Sequence, residues 1–189
     1  MGPTVIPAGK LPTELLARLL GAAALPAPEL HLGPAVGEDA CAIDVEAGTL
    51  VVATDPITFA GPSAGRSAVL VNANDVAATG ARPRWFLATV LLPEGTREDS
   101  IERLFGEIHR GLGEVGATLV GGHTEVTGAV RRAVVVGQML GLVEHRIVPT
   151  GGLRAGDIVL QVGAVPIEGA AAHAGSPGER LAGVEPDVL

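Results

Sequence analysis

Several residue types are scarce in this chain of 189 residues, and each shortage excludes a class of protein. The single cysteine, Cys41, excludes an intramolecular disulfide and a zinc site built from several cysteines. Tyrosine is absent and aromatic residues make up only 2% of the chain, so the core must be built from Ala, Val, Leu and Ile. No run of Lys and Arg could follow a nucleic-acid backbone, and the net charge of −8 also argues against a nucleic-acid partner.

Long apolar runs are also missing. No uninterrupted stretch approaches the roughly 20 residues that a membrane span needs. Residues 1–10 lack the basic start and apolar centre of a signal peptide, so we expect a cytoplasmic protein with no membrane partner. Glycine (27) and proline (14) are frequent, but they punctuate apolar runs, which argues against disorder.

The order of the predicted elements favours an α+β fold. Apolar residues recur at helical spacing over 13–20, 66–79 and 97–115, with Thr96 as cap and Asp99 as capping-box partner of the last helix. Strands are predicted over 40–45, 49–54, 85–92, 117–120, 133–143 and 157–162. This order predicts a mixed sheet with helices covering one face.

Isolated acids at the ends of apolar runs are the most informative pattern. Asp39 follows Gly37, which lets a backbone approach an anion closely. Asp55 precedes Pro56, where we expect the chain to turn. Asp75 is expected on the polar side of the helix over 66–79. Carboxylates from separate segments are typical of Mg²⁺ that is shared between a protein and phosphates.

The segment VGGHTEVTG, residues 120–128, adds His123 and Glu125. Gly121 and Gly122 are predicted to follow a strand and to offer backbone N–H groups to a phosphate. The ordinary explanations carry equal weight, because a single Asp is more often a turn or cap residue and a lone His is more often hydrogen-bonded in a loop. Neither GxxxxGK[ST] nor GxGxxG before a helix is present. The residues alone therefore indicate a metal–phosphate site without naming a reaction.

Five segments occur in a fixed order and together resemble a known family. They are GPAVGEDACAI, TDPITF, VNANDVAATGARPRWFLATVLLPEG, VGGHTEVTG and GLRAGDIVLQVGAVPIEGAA. They resemble the N-terminal part of the aminoimidazole ribonucleotide (AIR) synthetase, or PurM-like, superfamily, over about residues 8–174. These sequence segments are most similar to those of AIR-synthase-related and hydrogenase-maturation (HypE-like) proteins. The superfamily also includes thiamine monophosphate kinase and selenophosphate synthetase.

The resemblance implies a PurM-like N-terminal domain with ATP and Mg²⁺ as cofactors and a small-molecule substrate that reacts with the γ-phosphate. Asp39, Asp55 and Asp75 would bind the metal or orient its ligands. The nucleotide would lie near Gly37, Asn74, Gly121, Gly122, His123 and Thr124. The resemblance also implies a homodimer through the sheet, with ATP at or near the dimer interface.

Two departures from the family pattern define the alternative. Several relatives carry an acid after the double glycine, where this chain has His123, a poor Mg²⁺ ligand; Glu125 would then supply the carboxylate. Residues 1–150 are expected to form the ATP-binding domain, and residues 151–189 resemble the start of a shortened C-terminal domain. The alternative hypothesis is therefore a non-catalytic module that dimerises or binds nucleotide.

Overall fold

The computed structural model describes residues 13, 14, 17, 30–32, 36–38, 40–58 and 63–160. The strands in this part are β1 (Leu30–Leu32), β2 (Ala40–Val45), β3 (Gly48–Ile57), β4 (Ala81–Leu92), β5 (Thr118–Val126) and β6 (Val134–Val143). The long helices are α1 (Ala64–Ala78) and α2 (Glu98–Val115), and a 3₁₀ turn covers Thr150–Gly152. Of the first predicted helix, Thr13, Glu14 and Ala17 are helical, and its other residues lie outside the described part.

The described strands form one mixed sheet in the order β1-β2-β3-β6-β4-β5. Every neighbouring pair is antiparallel except β4 and β5, which are parallel and joined through α2. A parallel pair needs such a crossover because its two strands start at the same edge of the sheet. This architecture confirms the predicted α+β fold and its mixed sheet.

One face of the sheet carries the helices, and we call the other the helix-free face. Helix α1 packs against β3, β6 and β4, and α2 packs against α1 and β5. Since strand side chains alternate, residues 135, 137, 139 and 141 of β6 face the helices and are buried, while the even-numbered residues point the other way. The helices therefore cover one face, as predicted.

Helix α1 lies close to the sheet because β6 has glycine beneath it. A Cβ at residue 137 would lie 2.9 Å from both Ala68 O and Phe86 Cε2, and it would also collide with the Asn72 amide. A Cβ at residue 141 would lie 2.7 Å from Val76 Cγ1. These two glycines set how closely the helix approaches the sheet.

A buried asparagine fixes α1 to the end of β3. Asn72 is fully buried, and its Oδ1 accepts the backbone N–H of Asp55 at 2.8 Å. Its Nδ2 donates to Ala68 O at 2.8 Å and reaches Asp55 O at 3.4 Å. The pairing of β2 with β3 extends no further along β3 than Ala53, which pairs with Ala40, the first residue of β2. Asn72 therefore bonds to β3 at Asp55, where β2 no longer pairs with it.

The two helices contact each other through glycines and acid side chains. Gly65 lies against α2, and its N–H donates to Glu107 Oε2 at 3.1 Å. Burial raises the pKa of Glu107, and the Gly65 hydrogen bond opposes that rise. Arg66 donates from Nε and Nη2 to Glu114 across the same contact, and these bonds lower the pKa of the Glu114 carboxyl.

Among the described residues, no helix is both long and apolar enough to cross a membrane.

Several predicted boundaries were wrong. Strand β3 continues through Asp55 and Pro56 to Ile57, so the chain does not turn at Pro56. Within this strand Pro56 pairs with Val136 of β6. Strand β4 begins at Ala81, and its irregular pairing with β6 near Arg84 lets it include Pro83. Residues 157–160 are not a strand, and residues 161 and 162 lie outside the described part.

The helix predictions also need two corrections. Thr96 does not cap α2, because its hydroxyl donates to Pro93 O at 2.6 Å in the preceding turn, and Asp99 instead accepts from Arg97. On α1, Asn72 is buried and Ala77 is exposed, so the buried stripe is rotated from the one that apolar residues alone predict. The stripe includes Ser67 and Asn72, and the Asn72 amide is accommodated because it bonds to the Ala68 carbonyl and to the backbone of Asp55.

Gly137→Ala tests the close approach of α1 to the sheet. The added methyl group has no space, so we expect a loss of about 1–3 kcal/mol in the free energy of unfolding, measured in urea. Gly106→Ala, in α2 where a Cβ meets nothing within 4 Å, is the matched control and should gain about 0.5–1 kcal/mol. Equal effects of the two changes would contradict the packing described here.

Asn72→Ala tests the bond that fixes α1 to β3. We expect a loss of about 1–3 kcal/mol in stability, because a buried carbonyl and N–H lose their partner. The amide of Asp55 should also exchange with deuterium faster than its neighbours do. The exposed Asn74→Ala is the control and should change stability by less than about 0.5 kcal/mol. An unchanged Asp55 exchange rate in Asn72→Ala would rule out the contact.

Candidate functional site

Two of the predicted metal ligands lie on segments that Asn72 joins directly. Asp55 is half-buried near the end of β3, at an odd-numbered position whose side chain faces the helices. Asp75 lies one helical turn beyond Asn72 on α1, and its Oδ2 is buried. Two carboxylates from separate elements therefore lie on the helix-bearing side of the sheet, at the contact between α1 and β3.

The GED turn approaches the same strand. Asp39 lies outside the described residues, but Ala40, which follows it, pairs with Ala53 two residues before Asp55. Gly37 is exposed and has φ +91°, a left-handed conformation that favours glycine. Glu38 accepts backbone N–H groups from Thr150 at 3.2 Å and from Gly151 at 2.8 Å. Sequence reasoning overlooked Glu38, although it is an acid directly beside a predicted ligand.

The glycine pair lies inside a strand, where the sequence predicts a loop. Strand β5 runs to Val126 and is the edge strand of the described sheet. Gly122 pairs with Ala88, Ala88 with Gly137, and Gly137 with Asp55, so these four residues form one row across the sheet. Gly122 has φ +142°, and a Cβ there would collide with the Ala88 carbonyl. At the edge, the backbone of β5 can be approached by a ligand or another strand.

His123 and Glu125 lie apart from the two aspartates. They occupy the alternate positions of β5, on the helix-free face, and His123 Nε2 lies 3.3 Å from Glu125 Oε2. Three strand spacings, roughly 14 Å, separate β5 from β3. Within one chain, the structure therefore places Glu125 and the two aspartates on opposite faces of the sheet.

A shallow pocket adjoins the glycine pair. Its volume of about 210 Å³ is smaller than the roughly 300–1,000 Å³ of a typical ligand pocket. It is lined by Phe105 of α2, by Ala88 and Leu119, and by residues 121–124. Thr124 shares the helix-bearing side with Gly122, because the two are separated by two positions on β5. The pocket thus presents glycine backbone and one hydroxyl beside an aromatic ring.

The structure connects the segments of some predicted site residues and separates others. Asp55 and Asp75 lie on two segments that Asn72 joins, and Gly122 lies in the row of Asp55. Asn74 is exposed on α1, and among the described residues no three His, Cys, Asp or Glu side chains form a metal-binding group. Asn72 is the residue that sequence reasoning undervalued; an Asn three positions before an Asp on an apolar helix was the available signal.

Comparisons with known proteins agree with this architecture. Carbamoyl dehydratase HypE of Rhodobacter capsulatus is 32% identical over 118 residues, covering 61% of this chain and 35% of that protein. Thiamine-monophosphate kinase of Pyrococcus horikoshii is 30% identical over 115 residues, covering 60% of this chain and 36% of that protein. The chain thus spans about a third of the length of these relatives.

A solved structure shares the fold. AaThiL, complexed with AMPPCP and TMP, superposes with a TM-score of 0.56 at 25% identity, covering 62% of this chain and 40% of that chain. The family described as AIR synthase related protein, N-terminal domain, matches residues 37–143, which is more than half of the chain. The matched range begins at the GED turn and ends with β6, so it includes α1, α2 and strands β2–β6. The chain belongs to the AIR synthase related family and contains its N-terminal domain.

Proposed function

We propose that this chain binds Mg-ATP and uses the γ-phosphate of ATP on a small substrate, as an enzyme domain of the AIR synthetase type. The observation that carries the proposal is the Asn72–Asp55 bond, which joins the acidic end of β3 to the helix that carries Asp75. The relatives support it, since one is a dehydratase, one is a kinase, and AaThiL has been solved in complex with AMPPCP.

The donor set at this contact fits a magnesium ion. Asp55 and Asp75 offer hard carboxylate oxygens from two rigid elements, and Mg²⁺ is usually held by one or two carboxylates together with water and phosphate oxygens. We propose Asp39 as a third ligand, on the family resemblance and because Ala40 pairs beside this end of β3. Bound Mg²⁺ would neutralise charge on the phosphates, which is the main requirement of phosphoryl transfer.

The protein's own groups would position the nucleotide. Asn72 holds the backbone of Asp55 and so limits how far that carboxylate can move. Gly121, Gly122 and Thr124 offer backbone and a hydroxyl beside the pocket at Phe105, and Asn74 and Gly37 are the remaining proposed contacts. Positioning of this kind lowers a barrier because the reacting groups are already oriented when the substrate binds.

A second copy of the chain would complete the site. The helix-free face has half-buried apolar residues in its central strands, including Leu87, Leu140 and Leu142. We propose that two copies pair through this face, which would also enclose His123 and Glu125 in the interface.

The alternative function is nucleotide binding without catalysis. It is favoured by His123, which pairs with Glu125 where several relatives carry an acid after the double glycine. Turnover of ATP with a phosphate acceptor distinguishes the two functions, because the alternative predicts saturable binding with no release of ADP.

Asp75→Ala should weaken Mg-ATP binding by about tenfold or more without unfolding the domain. The loss of one carboxylate removes an oxygen ligand and its charge, and tenfold corresponds to about 1.4 kcal/mol. Isothermal calorimetry measures the affinity, and circular dichroism checks the fold. Glu102→Ala, an exposed acid on α2, is the charge-matched control and should leave the affinity unchanged. Equal affinities for Asp75→Ala and the control would exclude Asp75 from the site.

Leu140→Lys should convert a dimer into a monomer. Leu140 lies on the helix-free face between Val52 and Trp85, where a buried ammonium group in an interface would have no partner. Light scattering measures the mass, and Glu102→Lys on the helix-bearing side is the control that should stay dimeric. An unmodified chain that remains monomeric at high concentration would contradict pairing through this face.

A further inference from the structure

A charged contact spans 112 residues of sequence beside the proposed metal site. Glu38, half-buried in the GED turn, accepts N–H groups from Gly151 at Oε1 and from Thr150 at Oε2. A Cβ at residue 151 would lie 3.1 Å from Glu38 Oε1, so glycine allows the approach. Hydrogen bonds to a charged carboxylate are stronger than those between neutral groups.

The segment that Glu38 holds is also attached to α1. We call residues 146–152 the strap. Val148 N–H donates to Thr79 O at 2.9 Å, and the backbone of Arg146 passes so close to Gly80 that a Cβ there would collide with it. Thr79 in turn donates from its N–H and its hydroxyl to the carbonyl of Asp75. A continuous path therefore runs from Glu38 through the strap to the helical turn that carries Asp75.

We infer that Glu38 is a positioning residue for the proposed nucleotide site. Its carboxylate fixes the GED turn to the strap, and the strap is fixed to the end of α1. Asp39 is bonded to Glu38 on one side and to Ala40, in β2, on the other. The clamp would thus set the spacing between Glu38, next to Asp39 in the sequence, and the helix that bears Asp75. This inference rests on the proposed function.

Glu38→Gln tests the inference because it keeps the shape of the side chain and removes its charge and one acceptor. We expect at least one of the Thr150 and Gly151 amides, the one that loses its acceptor, to exchange with deuterium at least tenfold faster by NMR. We also expect the Mg²⁺-dependent gain in ATP affinity, measured with and without Mg²⁺, to fall by about tenfold. A purely structural contact would not change that gain. Glu46→Gln, in the β2–β3 turn, is the control and should change neither quantity.

The outcomes separate the inference from the function on which it rests. Faster exchange with a reduced Mg²⁺-dependent gain supports a positioning role. Faster exchange with an unchanged gain overturns it and leaves a structural clamp. Unchanged exchange at both amides overturns it as well, because the contact itself is then absent. If the unmodified chain binds no Mg-ATP, the proposed function fails, and the positioning role fails with it.

Discussion

The buried amide of Asn72 is the contact on which the arrangement of this domain depends. Beyond the end of β2, β3 has no neighbouring strand in the described sheet on that side, and Asn72 supplies the hydrogen bonds that a strand would have made. The same amide donates to its own helix at Ala68, so one side chain fixes both the depth and the register of α1. Because Gly137 leaves room beneath it, the amide can reach the strand without displacing the core.

This contact also explains why a polar residue lies at the centre of a core built from small aliphatic side chains. A buried polar group is costly unless its hydrogen bonds are made, and here both ends of the amide have partners. The result is that Asp55 and Asp75 lie on two elements that cannot move independently. Rigid placement of this kind suits the binding of a metal–phosphate group, which depends on the position of charges.

The sequence predicted the elements better than their ends. The strong helical spacing of Ile101, Leu104 and Ile108 identified α2, and the Val-rich run over 133–143 identified β6. Predictions from local sequence were wrong where pairing between distant strands determines the end of a strand. Pro56 indicated a turn, yet β3 continues to Ile57 because β6 still pairs with it. The predicted strand over 117–120 was expected to end before Gly121, yet β5 continues to Val126 because β4 offers a parallel partner.

The site was predictable in its residue types but not in its grouping. The sequence identified Asp55, Asp75 and Glu125 equally as candidate metal ligands. In the structure, the alternation of side chains along β5 places Glu125 on the helix-free face, away from the two aspartates. The contact that Glu38 makes could not be predicted because its partners, Thr150 and Gly151, are distant in sequence and contribute only backbone N–H groups. The burial and hydrogen bonds of Asn72 were not predicted, because the periodicity of apolar residues identifies only apolar buried positions.

The most direct test of the central claim is a crystal structure of the chain with Mn²⁺ and AMPPCP, in which anomalous scattering locates the metal. The account predicts a manganese peak bound by a carboxylate oxygen of Asp55 or Asp75, with the nucleotide phosphates beside it. A nucleotide bound elsewhere on the chain, with no metal at the contact between α1 and β3, would contradict it.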